Sequence, residues 1–318
     1  MSMRLLIPLV VALSVVTAAP ASAHQRSDVI TGHSAELHPE GVTWDPVRNA
    51  FLLGSVRHGT VEVLRDGVTR TLAADPRMIS TFGLHVAGTK LYVTYADMGL
   101  ARRSTPDTTF KSSGLAVFDL FTGKAKRFTD LAIGDGPHAA NDVAVDWYGN
   151  AYVTDIASDA IYKVDSRGNA SVLVRDPRFK SPSIGLNGIA WHPAGYLLVG
   201  RYDTGTVFRV PLTNPAAFTE VALERPVVGA DGVDLRPDGS LAVVTNNLGS
   251  PGENGVTVLR SRDNWRSARV TDHVAPWADN EPTTIARTPR GSYVLDGDLG
   301  KLLSGTGTSD TFTLRKLR

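Results

Sequence analysis

An all-β chain closed into a single six-bladed β-propeller is the fold that the sequence predicts. Three observations predict it. Period-2 alternation broken by turn residues runs through the chain, with no apolar stripe of helical period and useful length. One phrase recurs six times: a strand of small residues, a turn bearing Gly or Pro, a more apolar strand, a short loop and a third strand. A fourth strand often follows, and repeats of this length with about four strands each are the signature of propeller blades.

The copies fall in order along the 318 residues. The first is "EGVTWDPVRNAFLLGSVRHGTVEVL" from Glu40, with "TRTLAA" as its fourth strand. The second is "FGLHVAGTKLYVTYAD" from Phe82, followed by a long polar loop, Met98 to Gly114, of a length typical of a lid or an irregular excursion. The third is "NDVAVDWYGNAYVTDIASDAIYKVD" from Asn141, with "ASVLVR" after it. The fourth is "NGIAWHPAGYLLVGRYDTGTVFRV" from Asn187, the fifth "DGVDLRPDGSLAVVTNN" from Asp231, and the sixth "TTIARTPRGSYVLDGDLGKLL" from Thr283. The terminal "TFTLRKL" fits the last blade, where "DVIT" near the start can pair beside it and close the ring. A β-sandwich does not require one turn in one register six times, so the propeller is preferred.

Ahead of the repeats, Met1 to Arg4 carry a positive charge, Leu5 to Ala19 are almost wholly apolar, and "ASA" ends at Ala23. That order is expected of a secretory signal peptide over residues 1–23, too short in its apolar run for a spanning helix. The expected mature propeller is 24–318, secreted and without a membrane anchor. Removing the leader takes away one Arg and no acid, so Lys+Arg and Asp+Glu are equal at 32. Without basic clusters there is no electrostatic footprint for nucleic acid. The absence of Cys excludes disulfides and thiol chemistry. Nothing in the sequence calls for an obligate protein partner.

The innermost strands of a propeller line its axis and start at one face, so the first residues of the six copies share a small volume. They are Glu40, Phe82, Asn141, Asn187, Asp231 and Thr283. Four offer carboxylate or amide oxygen, the donors that Ca²⁺ accepts, and none offers the sulfur or imidazole that Zn²⁺ favours. Two carboxylates balance one divalent cation, and without it they would repel and raise each other's pKa. The metal set read from the sequence is therefore Glu40, Asn141, Asn187 and Asp231. The competing reading gives such residues only turn work, bonding nearby amides; four in one register favour the metal. Asp142, next in sequence to Asn141, is expected to point away from the channel by strand alternation.

The loops after each second strand return to the same face. They bring Arg57 with His58, Asp155, Arg201 with Tyr202 and Asp203, and Asn246 with Asn247 towards the rim. Arg57, Arg201 and Tyr202 are candidate substrate-side residues. His138, just ahead of the third copy, is a candidate acid–base group there. No G-x-S-x-G elbow, phosphate-cradling Gly loop or EF-hand spacing is present.

The phrases "HPEGVTWDP", "AANDVAVD", "LNGIAWHP" and "ADGVDLRPDG" resemble the gluconolactonase and senescence-marker-protein (regucalcin) family of calcium-dependent phosphotriesterase-like propellers. "EGVTWDPVRNAFLLGSVRHGTVEVL" with "ANDVAVDWYGNAYVTD" is similar in particular to a plant branch of that group. The resemblance spans Glu40 to Leu302. It implies a divalent cation, commonly Ca²⁺, in the channel. Glu40 matches the family's first-blade ligand, and Asn141, Asn187 and Asp231 match its "ND", "NG" and "DG" positions. It also implies hydrolysis of lactones or related esters, with Asp231 as base or nucleophile. Sugar-lactonase members carry Arg where this chain has Ala139, which argues against gluconolactone itself. A metal-stabilised propeller that binds a sugar, peptide or protein without catalysis is the alternative.

Overall fold

A computed structural model describes residues 28–277 and 280–317. The expected signal peptide lies outside them. Among the described residues, no helix is long and apolar enough to cross a membrane.

Six blades follow the six copies. Blade one holds strands Pro39–Asp45, Ala50–Ser55, Thr60–Arg65 and Val68–Ala74; blade two Ser80–Ala87, Lys90–Ala96, Ser113–Asp119 and Ala125–Asp130. Blade three holds Ala140–Val145, Ala151–Asp155, Ala160–Val164 and Ala170–Arg175; blade four Leu186–His192, Tyr196–Arg201, Val207–Pro211 and Thr219–Glu220. Blade five runs through Ala230–Leu235, Leu241–Thr245, Gly255–Arg260 and Ser267–Val274, with Ala222–Leu223 added on its outer edge. Blade six is shared between the two ends of the chain. Pro282–Thr288, Gly291–Asp296 and Thr311–Lys316 form its inner strands, and Val29–His33 pairs antiparallel to the last of these as its outermost strand. This pairing covers an edge that would otherwise be open. The "DVIT" segment thus closes the ring.

Hairpins form where the repeat places its turn. In blade three Asp146 Oδ1 accepts from the amides of Tyr148 and Asn150, both at 2.9 Å, and Gly149 supplies the positive φ of 80°. Such Asx turns fix the register of the two strands they join. The core is a ring of apolar layers between neighbouring blades. Leu91 and Val93 meet Leu52 and Val61; Val153 and Tyr162 meet Tyr92 and Leu115; Phe51 and Leu53 meet Tyr293 and Leu295. Each fully buried Leu, Val or Phe contributes about 1.5–3 kcal/mol, so blade-to-blade contact holds the ring in the absence of disulfides.

Every innermost strand carries a register break at the same place. The breaks lie between Pro39 and Gly41, Thr81 and Leu84, Ala140 and Val143, Leu186 and Ile189, Ala230 and Val233, and Pro282 and Thr284. A β-bulge sets two residues against one and re-aims side chains. The six bulges contain the six residues that open the sequence copies.

Candidate metal centre

The bulges bring Glu40, Asn141, Asn187 and Asp231 together at the axis, all of them buried. Asn141 Nδ2 donates to Asn187 Oδ1 at 2.5 Å. Charge on Asp231 acts on Glu40, and the Asn141 amide favours the ionised form of Glu40. Phe82 and Thr283 complete the circle. Backbone contacts lock it: Thr283 Oγ1 donates to the Glu40 carbonyl at 2.8 Å, and Thr94 and Thr154 donate to the carbonyls of Asn141 and Asn187 in the next blade. Glycines permit the close approach. A Cβ on Gly41 or Gly188 would run into the backbone oxygen of Phe82 or Asp231.

Asp231 is held from one side only. Its Oδ2 accepts from Asn246 Nδ2 at 2.6 Å, and the same amide nitrogen reaches the Pro282 carbonyl at 2.8 Å. Asn246 Oδ1 in turn accepts from the Tyr202 hydroxyl and, at 3.2 Å, from the Leu248 amide. Asp231 Oδ1 is buried with no hydrogen-bond partner, although Asn187 lies near enough to favour the ionised carboxylate. Burial pushes the Asp231 carboxyl up to about 8, and the charge of Asp142 adds to that shift. Glu40 is raised well above the carboxylate range by burial first, then by Asp231 and Asp142. Two buried acids, one with an oxygen left over, form a site short of positive charge.

These donors fit a hard divalent cation. All are oxygen, and two are anionic when ionised, within the donor chemistry of Ca²⁺. Among the described residues, no group of three or more His, Cys, Asp or Glu stands together to hold a metal ion, so a cation here would rest on two carboxylates and two amides.

Asp142 departs from expectation. Instead of turning away, it lines the axial channel below the ring, where burial raises its carboxyl to about 6. Its Oδ1 accepts from the Val143 amide at 2.8 Å and its Oδ2 from Ile189 across the blade boundary at 3.2 Å. The bulge at Asn141–Asp142 cancels the alternation on which the expectation rested.

The rim also differs from the polar one expected. A pocket of about 60 Å³ above the ring is walled by apolar side chains, among them Val56, Phe82, Met98, Leu100, Ile156 and Leu299. Of the substrate-side candidates, Tyr202 lines it. Arg57 instead donates to the Leu100 carbonyl at 2.9 Å and pairs with Glu36. Arg201 forms a two-pronged pair with Asp203 and donates to the Arg178 carbonyl at 2.7 Å. His138 is buried between Tyr162, Gly134 and Asp155, and the Asp155 carboxylate, 3.5 Å from its Nδ1, raises its pKa. None of these three is among the lining residues. Neighbouring groups engage each of them, although Arg57 Nε is left without a hydrogen bond. The Met98–Gly114 loop is folded onto buried Asp97, which accepts from the Gly99 amide, Ser104 Oγ and Thr108 Oγ1. It delivers Met98 and Leu100 to the mouth.

No protein-family model matches the chain, and no curated protein matches it by sequence. The solved structures that it resembles are β-propellers. The major allergen Mala s 1 of Malassezia sympodialis aligns with a TM-score of 0.73 at 17% identity, over 92% of this chain and 96% of that one. Virginiamycin B lyase from Staphylococcus aureus aligns with a TM-score of 0.57 at 12% identity, over 91% of this chain and 99% of that one. A streptogramin B lyase gives 0.56 at 11% identity, over 90% and 96%. At these identities the likeness establishes the fold. The propeller is secure, and two of these three structural neighbours are lyases. The resemblance to the gluconolactonase family rests on the quoted phrases alone.

Proposed function

We propose that the chain is an exported, metal-dependent hydrolase of a lactone or related ester, with a divalent cation, Ca²⁺ by its donor set, held by Glu40, Asn141, Asn187 and Asp231. The observation that carries the reading is the buried, unpartnered Asp231 Oδ1 within a ring of three further oxygen donors. The leader pattern of residues 1–23 supports export. When bound, the cation supplies Lewis acidity towards a carbonyl or phosphoryl oxygen.

The chain's own residues supply the rest. Asn141 and Asn187 contribute neutral oxygens, so the two carboxylates would balance a divalent cation without the excess negative charge of a carboxylate-only cage. Asp231, once ionised, takes a proton from water or attacks directly. Asn246, fixed by Tyr202 and Pro282, holds the other carboxylate oxygen in place. The apolar wall excludes bulk water and suits a substrate whose body is hydrocarbon.

A second reading, a metal-stabilised propeller that binds a partner without turnover, is favoured by the size of the mouth. At about 60 Å³ it is well below the roughly 300 Å³ typical of small-molecule sites. Catalysis therefore requires the short helix Leu299–Leu303 or the Met98–Leu100 segment to shift. The deciding experiment combines metal analysis with a lactone, aryl-ester and phosphotriester panel, with and without chelator. Turnover lost on chelation and restored by Ca²⁺ supports the hydrolase. Full metal occupancy with no turnover across the panel supports the binder.

A further inference from the structure

Above the donor ring the blades build an apolar cup whose wall leaves a ligand nothing to hydrogen-bond. Phe82 brings that wall down to the ring itself. It opens blade two at the register position where Glu40, Asn141, Asn187 and Asp231 carry oxygen, and it lines the mouth with them. Ile156 and Leu299 stand beside it, and none of the three is more than 6% exposed. A second tier lies outside them, in which Met98 and Leu100 are half-buried and Leu303 is 41% exposed. Among the described residues that line the mouth, Tyr202 alone adds a polar side chain to the four donors. Its hydroxyl is engaged both ways, donating to Asn246 Oδ1 and accepting from the Gly249 amide at 3.0 Å.

Chemistry and shape then narrow what the cup can take. A hydroxyl entering it leaves water for a place without partners, and each such loss weakens binding roughly fivefold or more. A methylene gains by the same move. The enclosed space of about 60 Å³ fits a narrow chain and not a substituted ring, and the half-exposed tier continues the apolar track outward. One part of the wall is pinned: Asp97 accepts from the Gly99 amide at 2.8 Å, and Arg57 Nη1 donates to the Leu100 carbonyl at 2.9 Å. The helix Leu299–Leu303 is tied differently, for among the described residues its hydrogen bonds stay within 298–306. It is the side of the cup that yields to an entering chain.

We propose that the ester taken by this site carries an unbranched alkyl chain. The carbonyl faces the donor ring, and the chain runs past Phe82, Ile156 and Leu299 to leave beside Leu303. Polyhydroxylated sugar lactones are rejected by the same wall. The inference rests on the hydrolase reading for the carbonyl at the ring, and deepens it by naming the body of the substrate.

The test is calorimetric titration of the full mature chain with γ-lactams bearing butyl, hexyl and octyl chains and with gluconolactam, each with Ca²⁺ and with chelator. As amides they present the same carbonyl and resist hydrolysis. Affinity is expected to rise about threefold per added methylene, and gluconolactam to bind at least about a hundredfold more weakly than the octyl lactam. Chelation should weaken all the alkyl lactams by one common factor and leave the chain-length slope in place. Leu303→Ser and Met98→Ser, at positions too exposed for the change to unfold a blade, should each cut the octyl-over-butyl gain by about threefold or more. No saturable binding of the octyl lactam, a slope below about 1.5-fold per methylene, or a slope that neither variant changes overturns the proposal. So does gluconolactam binding as tightly as the octyl lactam. Kinetics on the matching alkyl lactones and gluconolactone separate the two readings. Turnover indifferent to chain length overturns the alkyl chain and leaves the hydrolase, whereas a graded lactam slope with no lactone turned over upholds the cup and overturns the hydrolase.

Discussion

At Asp231 one oxygen is committed to Asn246 and the other is free, in a place where neither acid gains from being charged without a cation. Asp231→Asn keeps the volume and the Asn246 contact while removing the proton acceptor. It should fold with an unchanged circular-dichroism spectrum and lose turnover by at least about a hundredfold; a variant with intact metal and full activity would leave Asp231 without a catalytic role. The same residue sets a pH dependence. Its folded pKa is raised, so between the ordinary carboxylate value of 3.8 and about 8 the native state holds a proton that the unfolded chain releases. The unfolded chain then binds fewer protons, and stability falls as pH rises through that window. Thermal melts of metal-free protein should show that decline, with Ca²⁺ restoring more stability at the alkaline end. Asp231→Asn should flatten its share of it. Residue types and register made the four oxygen donors readable. Asp142 lines the channel because strand parity fails at a bulge, whereas Arg57, Arg201 and His138 bond neighbouring groups and do not line the mouth.

The bulge is the element that makes a site out of a strand. It occurs in all six innermost strands, and the residue after the ring position is Gly in four of them, Gly41, Gly83, Gly188 and Gly232. These glycines are needed for close approach between blades. Gly188→Ala would drive a methyl group into the Asp231 carbonyl. We expect a loss of about 1–3 kcal/mol in denaturant melts, and weaker Ca²⁺ binding by calorimetry because a ligand-bearing strand must move. Thr154→Val removes the hydroxyl that ties blade three to the Asn187 carbonyl and should cost about 1 kcal/mol. The "NG" and "DG" pairs were visible as repeated phrases. Their geometric meaning, a bulge pressed against the next blade, requires the neighbouring strand to be in place.

As a ring, the molecule depends on its closure. Val29–His33 pairs with Thr311–Lys316 and also touches the fourth strand of blade one, where His33 sits beside Val68. Beginning the chain after His33 removes a strand whose backbone hydrogen bonds contribute about 1 kcal/mol each. The melting temperature should fall by roughly 5 °C or more, with proteolysis beginning in blade six; an unchanged melt would show that closure rests on side-chain packing alone. The sequence by itself determined the blade count and the all-β class and marked four oxygen donors in one register, because repeats, alternation and residue chemistry are local properties that survive without coordinates; that Val29–His33 closes the ring was decided by the tertiary structure. Only the tertiary structure decided that Asp142 faces the channel and that the mouth above the ring is apolar. Those facts depend on how bulges, loops and separate blades meet across the axis, and one chain segment read alone carries no record of what stands opposite it.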